Sequence, residues 1–437
     1  MEMMEVGQIR PGMIVEIPQD LVVQYAADIR PTHGVFAGAD LAKTGVVFPI
    51  IRALVGEDLI SVAPRSVPLA AKWRIFTRPK LVNEIREGIR AAKLRVPPKS
   101  IVSGSDPEMF VMGKAGVIPA WKFLHDKKLA TSMDYQEPFW DGFQAEFCPE
   151  ARECLQQHVD GIRRHLVRLL AKAQKIDPKA RITSDNTIQV PDSVMKEASD
   201  EEVRFRCTPS LNVYRDGGNP TPQPREYKFR FAGGHIHAGF GSKKFTTPVV
   251  SEIIRALDGI LGIAGVSLAA NFDTPERRKM YGRAGEFRLP NHGIEYRVLS
   301  NFWVGHPAVA HLVLEVFRGA IKFAESGLYN ICWEKPSDEE IREIINECDV
   351  VRARKILVDN VACLQGILKE KLFKGREYYG STFMSADVLP SAIKAICNGI
   401  ESVVKDPGDV HKNWHLEDGE PWRDLCMSKG ASWASVL

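Results

Sequence analysis

The chain has 437 residues, of which 44% are hydrophobic and 26% charged, as in an ordinary soluble globular protein. Its length exceeds what one hydrophobic core usually supports, so two domains or one large enzyme domain with additions are expected. The formal net charge of +3 is too small for a general nucleic-acid binder, although local basic patches remain compatible with a polyanionic ligand.

The amino-terminal part, residues 1–95, predicts a small β-rich domain. Short β-type runs at 13–17, 21–23, 45–48 and 59–62 are separated by glycine and proline. A short helix over 83–94 precedes a proline-containing linker at 95–99. No motif in this part can be tied to chemistry, and docking to a partner is the role most consistent with it. The second predicted domain comprises residues 100–437.

The second domain alternates strand-like and helical patterns. Apolar residues recur at helical spacing over 150–176, 249–270 and 307–326, while 143–147, 226–240, 285–289 and 294–299 alternate as strands do. Ser337 and Glu340 form a capping-box pattern that predicts a helix running to about residue 370. Long helices between hairpin-like strand pairs predict an α+β fold with a largely antiparallel sheet.

Three polar pairs, each spaced i, i+2 on a predicted strand, are the main functional signal. Residues two apart in a strand point to the same face, so each pair aims two ligand-competent groups at one side of a sheet. With two further acids, they predict a sheet face that binds metal and phosphate. The residues are Asp106 and Glu108, His235 and His237, Glu295 and Arg297, and the acids Asp141 and Glu146.

The surroundings of these residues support that interpretation. Glu146 lies between Ala145 and Phe147, and a carboxylate on an apolar strand must be paired or bind a cation. Glycines flank the two histidines and permit close approach of a ligand. A cupin would need a glutamate about four residues after the second histidine, where Gly241 stands. An amidohydrolase barrel would need the histidine pair near its first strand, whereas here the pair lies in the middle of the chain.

A basic cluster with five cations in twelve residues, 277–288, leads into the last strand pair. Guanidinium groups match phosphate oxygens, and magnesium prefers oxygen ligands and bridges to substrate phosphates. Such a set suits ATP-dependent phosphoryl transfer, in which the protein mainly positions charge. Neither a P-loop nor the glycine-rich loop of kinases occurs in the sequence.

The eight cysteines are scattered and form no C-x-x-C pair, which indicates reduced thiols in a cytosolic protein. The first residues show no signal peptide. The apolar stretch 256–272 contains Asp258 and three glycines, and it is short of a membrane span. These features predict a cytoplasmic protein without a membrane partner.

The ordered motifs resemble the phage-type COOH–NH2 ligases, or amidoligases, of the superfamily of glutamine synthetase and glutamate–cysteine ligase. The resemblance covers roughly residues 101–305. The matching segments are 104–108, 141–146, 233–237, 281–288 and 293–297.

The resemblance implies a glutamine synthetase-like catalytic domain with a curved, largely antiparallel sheet flanked by helices. It implies a ligase that joins a carboxylate to an amine through an acyl phosphate, using ATP and two or more Mg²⁺ or Mn²⁺ ions. It also implies a phage origin and hence the host cytoplasm. Its substrates would be small molecules or peptides, whose identity does not transfer, and a homo-oligomer is compatible with it. The loops 184–225 and 290–292 are candidates for the substrate pocket.

The roles that the resemblance implies fall into two sets. Metal ligands would be Asp106, Glu108, Asp141, Glu146, His235 and Glu295, with His235 near the nucleotide phosphates. Arg297 would steady the transferred phosphoryl group, Arg283 and Arg288 would contact phosphate or the substrate carboxylate, and His237 would position substrate.

Two other functions remain open at the level of sequence. One is a metal-dependent hydrolase that uses His235, His237 and nearby carboxylates without nucleotide, and it predicts zinc that is retained through purification. The other is a catalytically inactive binding or virion-associated protein on the same scaffold. Every motif position keeps a chemically competent residue, which argues against an inactive site.

Overall fold

The computed structural model describes residues 101–127, 137–204, 210–214, 223–240, 247–325, 327, 329–330, 333–369 and 389–417. The predicted amino-terminal domain, its helix and the linker lie outside these residues. The described residues belong to two compact units, one containing 101–318, 336–357 and 389–417 and the other drawn from 319–335 and 358–369. The predicted boundary between residues 95 and 100 stays a prediction.

Among the described residues, a ten-stranded sheet forms the centre of the larger unit. It runs in the spatial order β3, β4, β5, β1, β10, β12, β11 and β8, while β2 and β6 also pair with β1. β3 and β4 are parallel, the other pairs are antiparallel, and β7 and β9 form a separate ribbon. The strands are β1 (Val102–Gly113), β2 (Gly116–Val117), β3 (His125–Asp126), β4 (Phe139–Asp141), β5 (Gln144–Glu146), β6 (Arg181–Thr183), β7 (Thr187–Gln189), β8 (Leu211–Asn212), β9 (Phe229–Phe231), β10 (Gly234–Gly239), β11 (Glu286–Arg288) and β12 (Gly293–Tyr296).

Helices account for most of the remaining described residues. A π-helical segment, Asp258–Gly262, joins α4 to α5, and short 3₁₀ turns include Asn301–Gly305. Within the described residues, no helix has the length and hydropathy that a membrane span requires. The α-helices are α1 (Leu155–Ala173), α2 (Asp192–Glu197), α3 (Asp200–Val203), α4 (Thr247–Leu257), α5 (Ile263–Leu268), α6 (Pro275–Met280), α7 (Pro307–Glu325), α8 (Asp338–Asn346), α9 (Val350–Asp359), α10 (Val361–Lys369), α11 (Leu389–Asn398) and α12 (Val410–Asn413).

The predicted α+β class with a large, mostly antiparallel sheet and flanking helices is confirmed. Helix α1 shows why helical spacing of apolar residues predicted the helix correctly. Its apolar residues at i, i+4, i+7 and i+11 share one stripe, and all of them are buried. These positions are Leu155, Val159, Ile162 and Leu166. A one-face stripe of this kind fixes the helix against a core, which is the main source of helical stability in proteins.

The long helix predicted over 249–270 is confirmed as helical backbone from 249 to 268, with the π-helical segment inside it. A second helix prediction was wrong in detail. The single helix predicted from Ser337 to about residue 370 is three helices, α8, α9 and α10. Cys348 adopts a left-handed φ of 52°, which ends α8, and the Asp349 carboxylate accepts the Arg352 backbone N–H at 3.0 Å, which starts α9. Ser337 does cap α8 by accepting the Glu340 backbone N–H at 3.1 Å.

A buried acid lies behind the sheet, in the π-helical segment. The hydroxyl of Tyr296 on β12 donates to Oδ1 of Asp258 at 2.7 Å. Burial raises the pKa of Asp258 to about 7. This rise outweighs the opposing effects of Tyr296, Tyr214, the Gly285 N–H and the positive charge of Arg278. The protonated carboxyl is therefore the preferred form of Asp258 below neutral pH.

Asp258→Asn is expected to remove a decline in stability between about pH 4 and about pH 7. An unfolded aspartate titrates near pH 3.9, so between these values the folded protein holds one more proton than the unfolded chain. The free energy of unfolding of the wild type therefore falls as pH rises through this window. Above pH 7 the free energy of unfolding of the variant is expected to rise by on the order of a few kcal/mol relative to that of the wild type.

Urea unfolding of both proteins at acidic and at alkaline pH measures this effect. The difference between the two proteins isolates Asp258, because every other titrating group contributes to both curves. Parallel pH profiles for variant and wild type would show that Asp258 is ionised in the folded protein.

Candidate functional site

Strand pairing brings the sequence-predicted pairs to one face of the sheet. The three central strands are adjacent in the order β1, β10, β12, so residues from distant parts of the sequence stand side by side. The cross-strand partners are Asp106 with His235, His237 with Glu295, Glu295 with Arg288, and Glu108 with Glu146.

One group of candidate metal ligands lies at the centre of this face. Oxygen and nitrogen atoms of Asp106, His237 and Glu295 all lie within 4.8 Å of one another. Nε2 of His237 is 2.9 Å from Oδ1 of Asp106, and Nδ1 of His235 is 3.4 Å from the same oxygen. Oδ1 of Asp106 is buried and has no hydrogen bond of normal geometry. We name this set the central group.

A second group, formed by Glu108, Asp141 and Glu146, is entirely acidic. Its ligand oxygens also lie within 4.8 Å of one another. Glu108 and Glu146 are buried, and the Nζ atom of Lys127 lies 3.1 Å from Oε1 of Glu146. We name this set the acidic group.

The pKa shifts show that the two groups are electrostatic neighbours. Burial and the charges of Asp106 and Asp141 raise the pKa of Glu146 well above its usual range. Burial would raise the pKa of Asp106 too, but His237 and His235 overcome it and hold that pKa well below normal. The pKa of His237 is raised, because the attraction of Asp106 exceeds the opposing effect of burial. Full ionisation of the acidic group would thus place more negative charge there than Lys127 compensates.

The predicted arginines occupy different positions. Arg297 is buried, its Nη1 atom contacts Oε1 of Glu295, and its Nε donates to Oγ of Ser210 at 3.0 Å. Nη1 of Arg288 lies 3.5 Å from the same Glu295 oxygen. The Arg283 guanidinium donates to the backbone carbonyls of residues 278 and 279 at 3.0 and 2.7 Å. Its predicted contact with phosphate or substrate stays a prediction.

The basic cluster serves structure as well as the site. Arg277 and Arg278 are fully buried, and Arg278 donates to Asp273 and to two backbone carbonyls. Arg277 donates to the carbonyls of Ala232 and Leu299 at 3.2 and 2.9 Å. These bonds connect α6 to the strand ends that carry the site residues. The sequence predicted phosphate binding for the basic cluster and did not reveal this structural role.

Sequence reasoning missed three side chains of the site. Lys127 reaches Glu146, the Tyr281 hydroxyl contacts both Glu108 and His235, and Nε2 of His292 lies 3.1 Å from Nδ1 of His237. His292 was predicted only as part of a pocket loop, and Tyr281 only as part of a matching segment. Lys127 has no local pattern that distinguishes it from an ordinary surface lysine.

The donor set fits divalent metal ions. The buried Glu146, whose pKa is raised by burial and by the neighbouring acids, is disfavoured as a bare charge, and a cation beside it removes that cost. The acidic group offers only oxygen ligands, which suits Mg²⁺ or Mn²⁺. The central group adds an imidazole and includes the buried Oδ1 of Asp106, whose near neighbours are the nitrogens of the two histidines.

Lys127→Met is expected to tighten binding of Mn²⁺ about tenfold or more, since removing a positive charge a few ångströms from the ion is worth ~1.4 kcal/mol or above. The ammonium of Lys127 contacts Glu146, so it competes with a bound ion for the same carboxylate. Calorimetric titration of metal-free protein measures the effect. Lys122→Met is the matched control, because Lys122 pairs with exposed Glu197 at 2.6 Å, outside the site. Unchanged or weaker binding by Lys127→Met would contradict this competition.

Carboxylates, imidazoles and arginines that converge on one sheet face define a candidate metal- and phosphate-binding enzyme site. A family model, phage phiEco32-like COOH.NH2 ligase-type 2, matches residues 175–326. This match confirms the resemblance for that part of the chain, which includes both histidines, Glu295 and Arg297. It supports an amide-bond-forming ligase of the carbon–nitrogen class.

Other comparisons add little. No curated protein matches the chain. A solved structure, the bifunctional glutathione synthetase from Pasteurella multocida, is similar with a TM-score of 0.35 and 10% identity, over 80% of this chain and 52% of that chain. The chain thus spans about half the length of that enzyme.

Proposed function

We propose that the protein is an ATP-dependent carboxylate–amine ligase that forms an amide or isopeptide bond through an acyl phosphate and releases ADP and phosphate. The observation that carries this proposal is the convergence of the central group, the acidic group and Arg297 on one sheet face. The family match covers the histidines and β12 and supports the same class of reaction.

In this proposal the chain's own residues position charge around the transferred phosphoryl group. The acidic group and the central group with His235 would hold two or more Mg²⁺ or Mn²⁺ ions, which would supply positive charge against the phosphates. Arg297 and Arg288 face the same region from the side of Glu295 and stabilise the phosphoryl oxygens. His237 orients substrate from its position beside His292.

The proposed reaction has two steps. An oxygen of the substrate carboxylate attacks the γ-phosphorus, and the bond to the departing ADP breaks. The amine then attacks the acyl carbon, phosphate leaves with its bonding electrons, and the amine's proton passes to solvent or to a nearby base. The glutamine synthetase-like form of the sheet, small-molecule or peptide substrates and a cytoplasmic setting in a phage-infected host belong to this proposal.

Nucleotide turnover by the purified full chain tests the proposal. ATP, magnesium, pooled amino acids and hydroxylamine as a surrogate amine are expected to give ADP, phosphate and a hydroxamate. AMP and pyrophosphate would indicate adenylation and contradict the acyl phosphate. Zinc retained through purification, together with no effect of ATP, would instead favour the hydrolase that uses His235 and His237. Absence of both nucleotide binding and metal would favour an inactive binding protein.

A further inference from the structure

The hydroxyl of Tyr281 stands between the two ligand groups of the site. It donates a hydrogen bond to Oε1 of Glu108 at 2.8 Å, and its oxygen lies 2.7 Å from Nε2 of His235. Glu108 belongs to the acidic group, and His235 borders the central group through Asp106. Tyr281 is only 7% exposed, so water competes little for these contacts.

The protons at this junction can be assigned. A tyrosine hydroxyl has one hydrogen to donate and accepts through its oxygen lone pairs. Because that hydrogen is directed to Glu108, the contact with His235 requires the imidazole Nε2 to supply the second hydrogen. The other oxygen of Glu108 accepts the backbone N–H of Gly233 at 2.7 Å, so Glu108 receives hydrogens on both oxygens, as a carboxylate does.

The opposite nitrogen of His235 faces the central group. Nδ1 lies 3.4 Å from Oδ1 of Asp106, 3.7 Å from Oε1 of Glu295 and 3.5 Å from Nη1 of Arg297. The two carboxylate oxygens would accept a hydrogen from Nδ1, whereas a guanidinium N–H can only donate, so Arg297 is the neighbour that suits a lone pair on Nδ1. The same lone pair is the one that a cation in the central group would meet.

We propose that Tyr281 is a positioning residue that holds His235 as the Nε2–H tautomer and thereby keeps Nδ1 available to the central group. In metalloproteins the hydrogen bond at one imidazole nitrogen commonly decides which nitrogen binds the metal. Here the orienting partner is a tyrosine that is itself fixed by a carboxylate of the neighbouring group. The tautomer is independent of the proposed ligase activity, and only its effect on turnover rests on that function.

The packing around Tyr281 supports this role. A Cβ atom on Gly233 would lie 2.6 Å from Nε2 of His235 and 2.8 Å from the Tyr281 oxygen, so only glycine leaves room for this contact. The guanidinium carbons of Arg277 and Arg297 lie 5.4 and 5.7 Å from the centre of the Tyr281 ring. Cation–π attraction at such distances holds an aromatic ring in place.

Proton–nitrogen correlation spectra of the metal-free full chain with isotope-labelled histidine test the proposal. The signals of His235 are assigned by their loss in His235→Asn, and the spectra are recorded near pH 8 to favour neutral imidazole. Wild-type His235 is expected as the Nε2–H tautomer, and Tyr281→Phe is expected to give Nδ1–H or a mixture. Tyr296→Phe is the matched control, because it removes another buried hydroxyl, which donates to Asp258.

Two results would overturn the proposal. The first is a wild-type spectrum that shows the proton of His235 on Nδ1, or protons on both nitrogens. This result would contradict the Nε2–H tautomer even if Tyr281→Phe does not fold. The second is a folded Tyr281→Phe that keeps the wild-type tautomer. A weaker affinity of Tyr281→Phe for Mn²⁺, by about tenfold, is the expected consequence and is measured without nucleotide. The tautomer result does not depend on whether the chain turns over ATP. Failure of the proposed ligase function is therefore distinguishable from failure of the tautomer proposal.

Discussion

Glu146→Gln is expected to lower turnover by roughly 10²–10³-fold while raising the stability of the metal-free protein. The loss follows from the removal of a ligand charge from the acidic group, and a single preorganised electrostatic group contributes about 10²–10³-fold in enzymes. The gain follows from the raised pKa of Glu146, which burial and the neighbouring Asp106 and Asp141 cause.

The contribution of Glu146 to stability falls as pH rises. The pKa of Glu146 is higher in the folded than in the unfolded protein, so the stability it contributes is present at low pH and is lost as pH rises through the folded value. Glutamine stays neutral at all pH values and avoids this loss, which amounts to about 1.4 kcal/mol for each unit of pKa shift. The amide oxygen can still accept from Lys127.

Glu295→Gln provides an informative contrast. Its turnover is expected to fall as far, but its stability is expected to fall as well, because Glu295 contacts Arg297 and Arg288. Removing one partner of a buried ion pair leaves the other charge uncompensated, at a cost of about 3–5 kcal/mol.

Thermal unfolding with and without Mn²⁺, together with the nucleotide assay, measures both effects. The control is Glu339→Gln, which changes an exposed glutamate in the first turn of α8. Turnover like that of the wild type in both Glu146→Gln and Glu295→Gln would refute the metal assignment. A loss of stability in Glu146→Gln would show that its carboxylate is already compensated without metal.

Local periodicity was sufficient to place the polar pairs on one face of a sheet, but it could not reveal which strands are neighbours. Asp106 and Glu108 are two residues apart on β1, yet the first belongs to the central group and the second to the acidic group. That division follows from the pairing of β1 with β10 on one side and β5 on the other. Strand order depends on contacts between distant segments, about which spacing within one strand carries no information.

The side chains that were missed share this non-local origin. Tyr281 follows a helix and reaches Glu108 and His235 only because Gly233 leaves space at the start of β10. The end of α8 was missed because Cys348 adopts a left-handed conformation that glycine or asparagine would usually signal. The pattern of apolar residues continued past it, and periodicity alone therefore predicted one helix.

Arg297→Lys is expected to lower turnover by roughly 10²–10³-fold in a protein that remains folded, as for the loss of one preorganised donor. Arg297 is 2% exposed, donates to Ser210 through Nε and contacts Glu295 through Nη1. Lysine keeps the positive charge beside Glu295 but presents it as a point, whereas guanidinium holds several donors in one fixed plane. The variant therefore separates geometry from charge.

The distribution of the loss between kcat and the KM for ATP decides what Arg297 does. A fall in kcat with little change in KM indicates an interaction made mainly in the transition state, as expected for an arginine on the transferred phosphoryl group. A rise in KM at constant kcat would indicate uniform binding of nucleotide instead. Arg352→Lys is the matched control, since Arg352 pairs with Asp349 and Glu343 at the surface. If Arg297→Lys turns over like the wild type, the plane of the guanidinium contributes nothing to the reaction, and Arg297 serves mainly to neutralise Glu295.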